Sequence, residues 1–265
     1  MPMELGLIVA AVALLPALAD FLSTLRRLAL PADAGGPPDR GVVVYVESIR
    51  WLGVRWGLRS VAAGLRRAGF GGEFRYWRWH ATWRGWLVLP AIVDAGLLER
   101  EARRLAAHLV RRHRAAPGAP IHLVGYSCGG YVALRALELL PAGVQVRSAA
   151  LLAAAVDPAR DLRPALARVS GTMVIASSVL DWLIVGAGTL VCGTADRRHT
   201  ASLGMVGLRR RGRGGQQGVV ELRWRPGLVR LGHFGGHFSA SSAGFIRQCV
   251  APAMGISAAD GGRES

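Results

Sequence analysis

The stretch of residues 121–140 constrains the fold more than any other part of the chain. Residues 121–124 form an apolar run with the length of a buried strand, and residues 130–140 are rich in Ala and Leu, which is typical of a helix. Between them lies Gly125-Tyr126-Ser127-Cys128-Gly129, a match to the pattern G-x-S-x-G. The sequence therefore predicts a sharp strand-to-helix turn with Ser127 at its apex.

Steric crowding explains why both flanking positions of this motif are glycine. The apex residue of such a turn is held in a strained backbone conformation, and side chains two positions before and after it would collide. Gly125 and Gly129 occupy those two positions, which leaves Ser127 at the tip, above the N-terminus of a helix. Free N–H groups and the helix dipole favour negative charge there, so the N–H of Cys128 is the expected first donor to an oxyanion. The alternative is an ordinary tight turn in which Ser127 caps the helix.

Strand and helix patterns alternate along the rest of the chain, which predicts the α/β class with a parallel sheet. The expected strands are residues 42–46, 74–79, 146–156, 172–177 and 219–224, the last extended through 228–231, and the expected helices are residues 58–68, 96–113, 160–169 and 243–250. With its G-Y-S-C-G-G turn, this order resembles the α/β-hydrolase superfamily over residues 42–252. The resemblance implies a doubly wound, mostly parallel sheet (the α/β-hydrolase fold), a serine esterase or lipase-like activity with a Ser–acid–His triad, and no cofactor.

Composition divides the chain into three parts. Residues 1–40 are expected to be an N-terminal hydrophobic segment, either an anchor or signal-like, followed by a Pro- and Gly-rich linker. Residues 41–255 are expected to form the hydrolase domain, and residues 256–265 a disordered tail. Within the domain, residues 182–218 form a long Gly-rich stretch that mixes apolar and Arg residues, which predicts a lid-like insertion.

A serine nucleophile needs a base, and the base needs a carboxylate that fixes its tautomer. The resemblance implies an acid after the second strand beyond the turn, and Asp181 follows that strand. Asp157, one strand earlier, and Asp196 are the alternatives, although Asp196 could instead pair with Arg197 or Arg198 on the surface. Asp181 itself could simply cap a following helix.

The resemblance also implies a histidine after the last strand, where this chain has two. His237, directly before the closing helix, is the first choice for the base, and His233 is the second. A second oxyanion donor would come from the loop after the first strand, with Ser48 and Ile49 as the candidates. That loop departs from the glycine-containing pattern of the family, so the second donor stays open.

The apolar segment of residues 5–22 is interrupted by Pro16 and Asp20 and has about the minimum length of a membrane span. Arginines at positions 26–27 follow it, so the positive-inside rule predicts a membrane anchor with a cytoplasmic catalytic domain. Residues 17–19 resemble a signal-peptidase site, so export after cleavage is an alternative. A buried N-terminal helix in a cytoplasmic protein is the third.

The net charge of +16 comes entirely from Arg, because the chain contains no Lys. Such a charge attracts anionic surfaces, but the Arg residues are scattered, which favours a GC-rich genome as the cause. Arg alternates with aromatic residues over 74–79, yet no nucleic-acid fold signature accompanies them, so nucleic-acid binding is not expected. Cys128, Cys192 and Cys249 show no metal-ligand spacing, so no metal site is predicted.

The sequence thus predicts a serine hydrolase that cleaves a carboxylic ester. The apolar segments suggest a small ester or a lipid-like acyl substrate and membrane association through residues 5–22. The atypical loop after the first strand motivates the alternative, which is a non-catalytic membrane-associated protein that keeps the hydrolase scaffold. The sequence does not separate an esterase from a thioesterase, an amidase or an acyltransferase.

Overall fold

One sheet of six parallel strands organises the chain in a computed structural model, which describes residues 14–15, 18–25, 35–47, 55–78, 94–209 and 218–257. The strands are β1 (Val42–Val46), β2 (Glu73–Trp77), β3 (Ile121–Tyr126), β4 (Ser148–Leu152), β5 (Met173–Ser177) and β6 (Val219–Arg223). Their order across the sheet is β2-β1-β3-β4-β5-β6, and every neighbouring pair is parallel.

The central strands read as continuous apolar runs because both of their faces are covered. In β1, Val42 and Val44 join the core on one face of the sheet, whereas Val43 and Tyr45 join the core on the other. By contrast, β6 lies at the edge of the sheet and is only partly buried.

Helices cover both faces of the sheet. They are α1 (Leu58–Arg67), α2 (Ala95–Ala115), α3 (Cys128–Glu138), α4 (Arg163–Leu166), α5 (Thr189–Cys192), α6 (Leu203–Val206), α7 (Ala243–Phe245) and α8 (Ala251–Ala253), with π-helical turns at Leu183–Gly188 and Ile246–Val250. The core on one face includes α2 and α3, and the core on the other includes α1 and the C-terminal helical turns. This arrangement confirms the predicted α/β class with a doubly wound parallel sheet.

The strand order places the Ser127 turn at a switch point of the sheet. From β1 the chain moves outward to β2, and from β3 it moves in the opposite direction through β4, β5 and β6. In open sheets of this kind, ligands bind outside the carboxyl ends of the strands where the order reverses. That position lies between β1 and β3, and Ser127 follows β3 directly.

Several predicted element bounds were wrong. Residues 228–231 do not extend the last strand but belong to a 3-10 helix, Pro226–Leu231, because the proline that begins it fixes its own φ and cannot donate to a ladder. The helix predicted over 160–169 is reduced to the single turn of α4. The described part of the predicted insertion, residues 182–209, contains the Leu183–Gly188 turn, α5 and α6.

Residues 18–25 form a helix that buries two polar side chains against the protein and exposes three leucines. Asp20 and Thr24 are buried, whereas Leu18, Leu22 and Leu25 are exposed. In the described ranges no helix is both long and apolar enough to cross a membrane. Residues 5–13 and 16–17 of the predicted anchor and residues 258–265 of the predicted tail lie outside the described residues.

Candidate active site

The turn after β3 has the strained geometry that its motif predicts. Ser127 has φ 55° and ψ −122°, a conformation that costs a non-glycine residue about 1–3 kcal/mol. Main-chain hydrogen bonds hold it there: its N–H donates to Leu152 at 2.9 Å, and its carbonyl accepts from Gly130 at 3.0 Å and Ala155 at 3.2 Å. The end of β4 therefore fixes the serine at the tip of the turn.

Neighbouring main-chain atoms lie so close to Gly125 and Gly129 that neither position has room for a side chain. A Cβ on Gly125 would lie 2.7 Å from the Cα of Gly130 and 2.8 Å from the carbonyl of Gly129. A Cβ on Gly129 would lie 2.5 Å from the Glu47 carbonyl and closer still to that of Val46. The turn can therefore form only where these positions lack side chains, and the N-terminus of α3 rests against the end of β1.

Asp181 and His237 form a buried pair. Asp181 lies shortly after β5, and His237 directly precedes the 3-10 helix Phe238–Ser241. The distance between His237 Nδ1 and Asp181 Oδ2 is 2.7 Å, and the two side chains are 6% and 2% exposed. Burial raises the pKa of Asp181, whereas the charge and hydrogen bond of His237 and a main-chain bond from Val185 oppose that rise. The helical turn that follows has Trp182 as its N-cap residue and no side-chain cap, so the side-chain hydrogen-bond partner of Asp181 is His237.

The imidazole of His237 lies beside the strained turn. The rings of His237 and Tyr126, the residue before Ser127, have centroids 5.1 Å apart. The Tyr126 hydroxyl also donates to the His237 carbonyl at 3.1 Å. Because Nδ1 faces Asp181, Nε2 is the nitrogen left to act on a serine hydroxyl.

His233, the second choice for the base, has different neighbours. Its Nδ1 lies 3.1 Å from the Ser239 hydroxyl, and its ring packs on Phe245 with centroids 4.7 Å apart. It is 2% exposed. Of the two histidines, His237 is the one whose Nδ1 faces a carboxylate.

The two alternative acids belong to a separate polar cluster. Asp196 forms an ion pair with Arg160 and accepts a hydrogen bond from the Asp157 N–H at 2.7 Å. Arg160 also contacts Glu138 at 2.8 Å. The partner of Asp196 is therefore Arg160, not the adjacent arginines suggested by the sequence, and the structure does not bring Asp157 or Asp196 to His237.

Of the predicted oxyanion donors, the structure describes Cys128. It is the first residue of α3, and the first four N–H groups of an α-helix have no partner within the helix. Its thiol is fully buried, which raises its pKa to about 12. Ser48 and Ile49 lie outside the described residues, but Glu47, directly before them, has its carbonyl against the start of α3.

Asp20 belongs to this site, although the sequence interpretation treated it only as an interruption of an apolar segment. Its carboxylate accepts hydrogen bonds from the N–H groups of Phe238 at 2.8 Å and Ser239 at 2.9 Å. A signal for this role was present in the sequence, because a lone acid in an apolar helix is buried only where it finds partners.

Among the described residues, no group of three or more His, Cys, Asp or Glu side chains could hold a metal ion. No protein-family model and no curated protein matches the chain. A solved structure of Trichoderma reesei cutinase in complex with a C11Y4 phosphonate inhibitor is similar over 95% of this chain and 90% of that chain, with 14% identity and a TM-score of 0.41.

Proposed function

We propose that this chain is a serine hydrolase that cleaves a carboxylic ester through an acyl-enzyme on Ser127. The observation that carries the proposal is the buried pair of His237 and Asp181, whose imidazole packs on Tyr126, the residue directly before a serine in a strained strand-to-helix turn. A hydroxyl is a weak nucleophile, and this pair supplies the base that it needs.

The proposed reaction has two halves. As Ser127 Oγ bonds to the acyl carbon, its proton passes to His237 Nε2, while Asp181 holds Nδ1–H. The carbonyl oxygen becomes an oxyanion, which the N–H of Cys128 and a second N–H from residues 48–49 stabilise. The protonated imidazole then gives its proton to the leaving alcohol. Water, deprotonated by the same imidazole, attacks the acyl-enzyme and releases the acid.

Burial of the acid favours the transition state over the ground state. Because Asp181 is buried, its pKa is raised and its ionised form lacks hydration. When the imidazole takes up the serine proton, a full positive charge forms 2.7 Å from that carboxylate, in surroundings that screen charge poorly. The attraction is therefore strongest at the stage where the reaction needs it.

Exposed apolar side chains support a lipid-like acyl group in the substrate. Val179 and Leu183 flank Asp181 in sequence and are 64% and 47% exposed, and Leu190 and Val191 follow on the same segment. Exposed apolar residues that form a contiguous patch commonly mark a binding surface. With a panel of p-nitrophenyl esters, we expect kcat/KM to rise from acetyl to octanoyl and to rise less in Leu183→Ser. Equal rates across the panel would argue against a lipid-like substrate.

We further propose that the chain is membrane-associated through residues 5–22, with its catalytic domain on the cytoplasmic side. The exposed faces of Leu14, Leu18 and Leu22 support an apolar contact, and the arginines at positions 26–27 support that orientation. Full-length protein should float with phosphatidylglycerol vesicles in a density gradient. Recovery only in the dense fraction, or export of a chain shortened at Ala19, would contradict this proposal.

Labelling with a fluorophosphonate probe tests the catalytic assignment. We expect wild type to be labelled, Ser127→Ala and His237→Ala to lose labelling, and folded His233→Ala to keep it. A folded wild type that resists the probe would favour a non-catalytic scaffold, the candidate that the atypical loop of residues 47–57 supports.

A further inference from the structure

The loop that carries His237 packs against the N-terminal helix, residues 18–25, and is hydrogen-bonded to it. The carboxylate of Asp20 binds the main chain directly after the histidine, with Oδ2 on the N–H of Phe238 and Oδ1 on the N–H of Ser239. It is 1% exposed. Both oxygens are therefore used, and each orients one of the two peptide groups that follow His237.

An aromatic contact keeps the helix in place. The ring of Phe21 lies 5.7 Å from that of Phe238 and 5.8 Å from that of Trp56, and the last two rings are themselves 4.8 Å apart. Thr24, on the same face, is fully buried and donates to the main chain of Asp20 at 3.0 Å. The contact between the helix and the histidine loop is thus a packed interface in which Asp20 and Thr24 are buried.

Gly236 leaves room for the Asp20 carboxylate because it has no side chain. A Cβ on this residue would lie 2.5 Å from both Cγ and Oδ2 of Asp20, so a larger residue would push the loop away. The residue before His237 and the two residues after it therefore all touch the same aspartate.

We propose that Asp20 is a positioning residue for the base of the proposed hydrolase: it fixes the main chain on both sides of His237, and its charge favours the imidazolium formed during catalysis. The N-terminal helix is then part of the catalytic unit. This inference rests on the proposed function.

Removal of the Asp20 charge should shift the pH dependence of labelling in one direction. Among the described residues, the ionisable groups that face His237 are the carboxylates of Asp181 and Asp20 and the phenol of Tyr126. Burial raises the pKa of Asp20, and its hydrogen bonds and the charge of His237 oppose that rise. A negative charge at Asp20 favours a protonated imidazole, so its removal should shift the acid limb of the pH profile to lower pH.

The test uses full-length protein and the rate constant of fluorophosphonate labelling between pH 5 and pH 9. Asp20→Asn removes the charge and one of the two acceptors, and we expect labelling to slow by about 10- to 100-fold, as for other small misplacements of a catalytic group. The acid limb should move to lower pH. The matched control is Asp39→Asn, because Asp39 is an exposed acid elsewhere on the surface, and it should behave as wild type.

A second variant separates position from charge. Gly236→Ala keeps the Asp20 charge but forces the loop outward, so we expect slower labelling with an unmoved acid limb. Gly227→Ala is its control, since no atom lies within 4 Å of the added Cβ. The rate constant is the readout because unfolded molecules lower only the extent of labelling.

Failure of the hydrolase function and failure of the positioning role of Asp20 give different labelling results. If folded wild type shows no labelling that depends on Ser127, the proposed function fails. If wild type is labelled, but Asp20→Asn and Gly236→Ala react at the rates of their controls with an unmoved pH profile, the function stands and the role of Asp20 is overturned.

Discussion

Substitution of Gly129 by alanine is expected to damage the proposed site because the added Cβ would clash with the main chain at the end of β1. The added Cβ would lie 2.5 Å from the Glu47 carbonyl and closer to that of Val46, whereas real Cβ atoms essentially never approach other atoms within 3.0 Å. The obstructing atoms belong to the main chain at the end of β1, where no side chain can rotate away. The start of α3 must therefore retreat by about 0.5 Å or more, as overpacked sites do.

Two effects on stability oppose each other in this variant. Alanine in place of glycine inside a helix stabilises by about 1 kcal/mol. Overpacking against fixed atoms costs about 1–3 kcal/mol, and a rigid main chain places Gly129 at the upper end of that range. We therefore expect Gly129→Ala to lower the free energy of unfolding by about 2 kcal/mol, measured by urea denaturation.

Activity should fall as well, because the retreat moves the N–H of Cys128 and the hydroxyl of Ser127. A displacement of about 1 Å can cost 100-fold in rate, so kcat/KM for a p-nitrophenyl ester should fall by about 10- to 100-fold, or 1.4–2.7 kcal/mol. Gly227→Ala is the control, since the space around Gly227 is open and its φ is not positive. If both variants unfold and react alike, the close approach of α3 to β1 does not determine the geometry of the turn.

Three further predictions concern individual side chains. Asp181→Asn should reduce kcat by up to about 10⁴-fold, because an amide no longer selects the required tautomer of His237; a loss below tenfold would contradict the pairing. Cys128, whose pKa is raised to about 12 by burial, should resist iodoacetamide at pH 8 in the folded protein and react in urea, as mass spectrometry would show. Burial also raises the pKa of Asp20, so the folded chain binds its proton more tightly than the unfolded chain does. Wild type should therefore gain stability relative to Asp20→Asn as the pH falls from 7 towards 4.5, and an unchanged difference between urea midpoints would refute this.

The sequence predicted the features that depend on neighbouring residues. The turn at Ser127 needs only a buried strand, two glycines and a following helix, and all of these lie within 20 residues. Strand bounds were less accurate where the end of a strand depends on its partner in the sheet: β4 pairs over Ser148–Leu152, although the apolar run is longer. Residues 228–231, predicted to extend the last strand, belong instead to the 3-10 helix Pro226–Leu231, which a proline begins.

The choice between His233 and His237 could not be made from spacing, because both follow the last strand within a few residues. What distinguishes them is the partner that each meets after folding: a serine hydroxyl for His233 and a carboxylate from 56 residues earlier for His237. Such contacts depend on how β5 and β6 lie side by side in the sheet. The spacing of residues along the chain therefore does not show which of the two imidazoles lies beside the carboxylate.

Asp20 shows what a hydropathy profile leaves out of its description of a segment of this kind. When hydropathy is averaged over residues 5–22, the single acid only lowers the value for a potential membrane span. In the structure the side of the helix that carries Asp20 faces the protein, where two N–H groups donate to the carboxylate and Phe21 packs beside it. Leucines at positions 18, 22 and 25 face outward. A buried, desolvated acid costs several kcal/mol unless its hydrogen bonds are satisfied, so its burial here requires the histidine loop as a partner. One face of this helix therefore carries the exposed leucines, and the other holds the loop of the proposed base through Asp20.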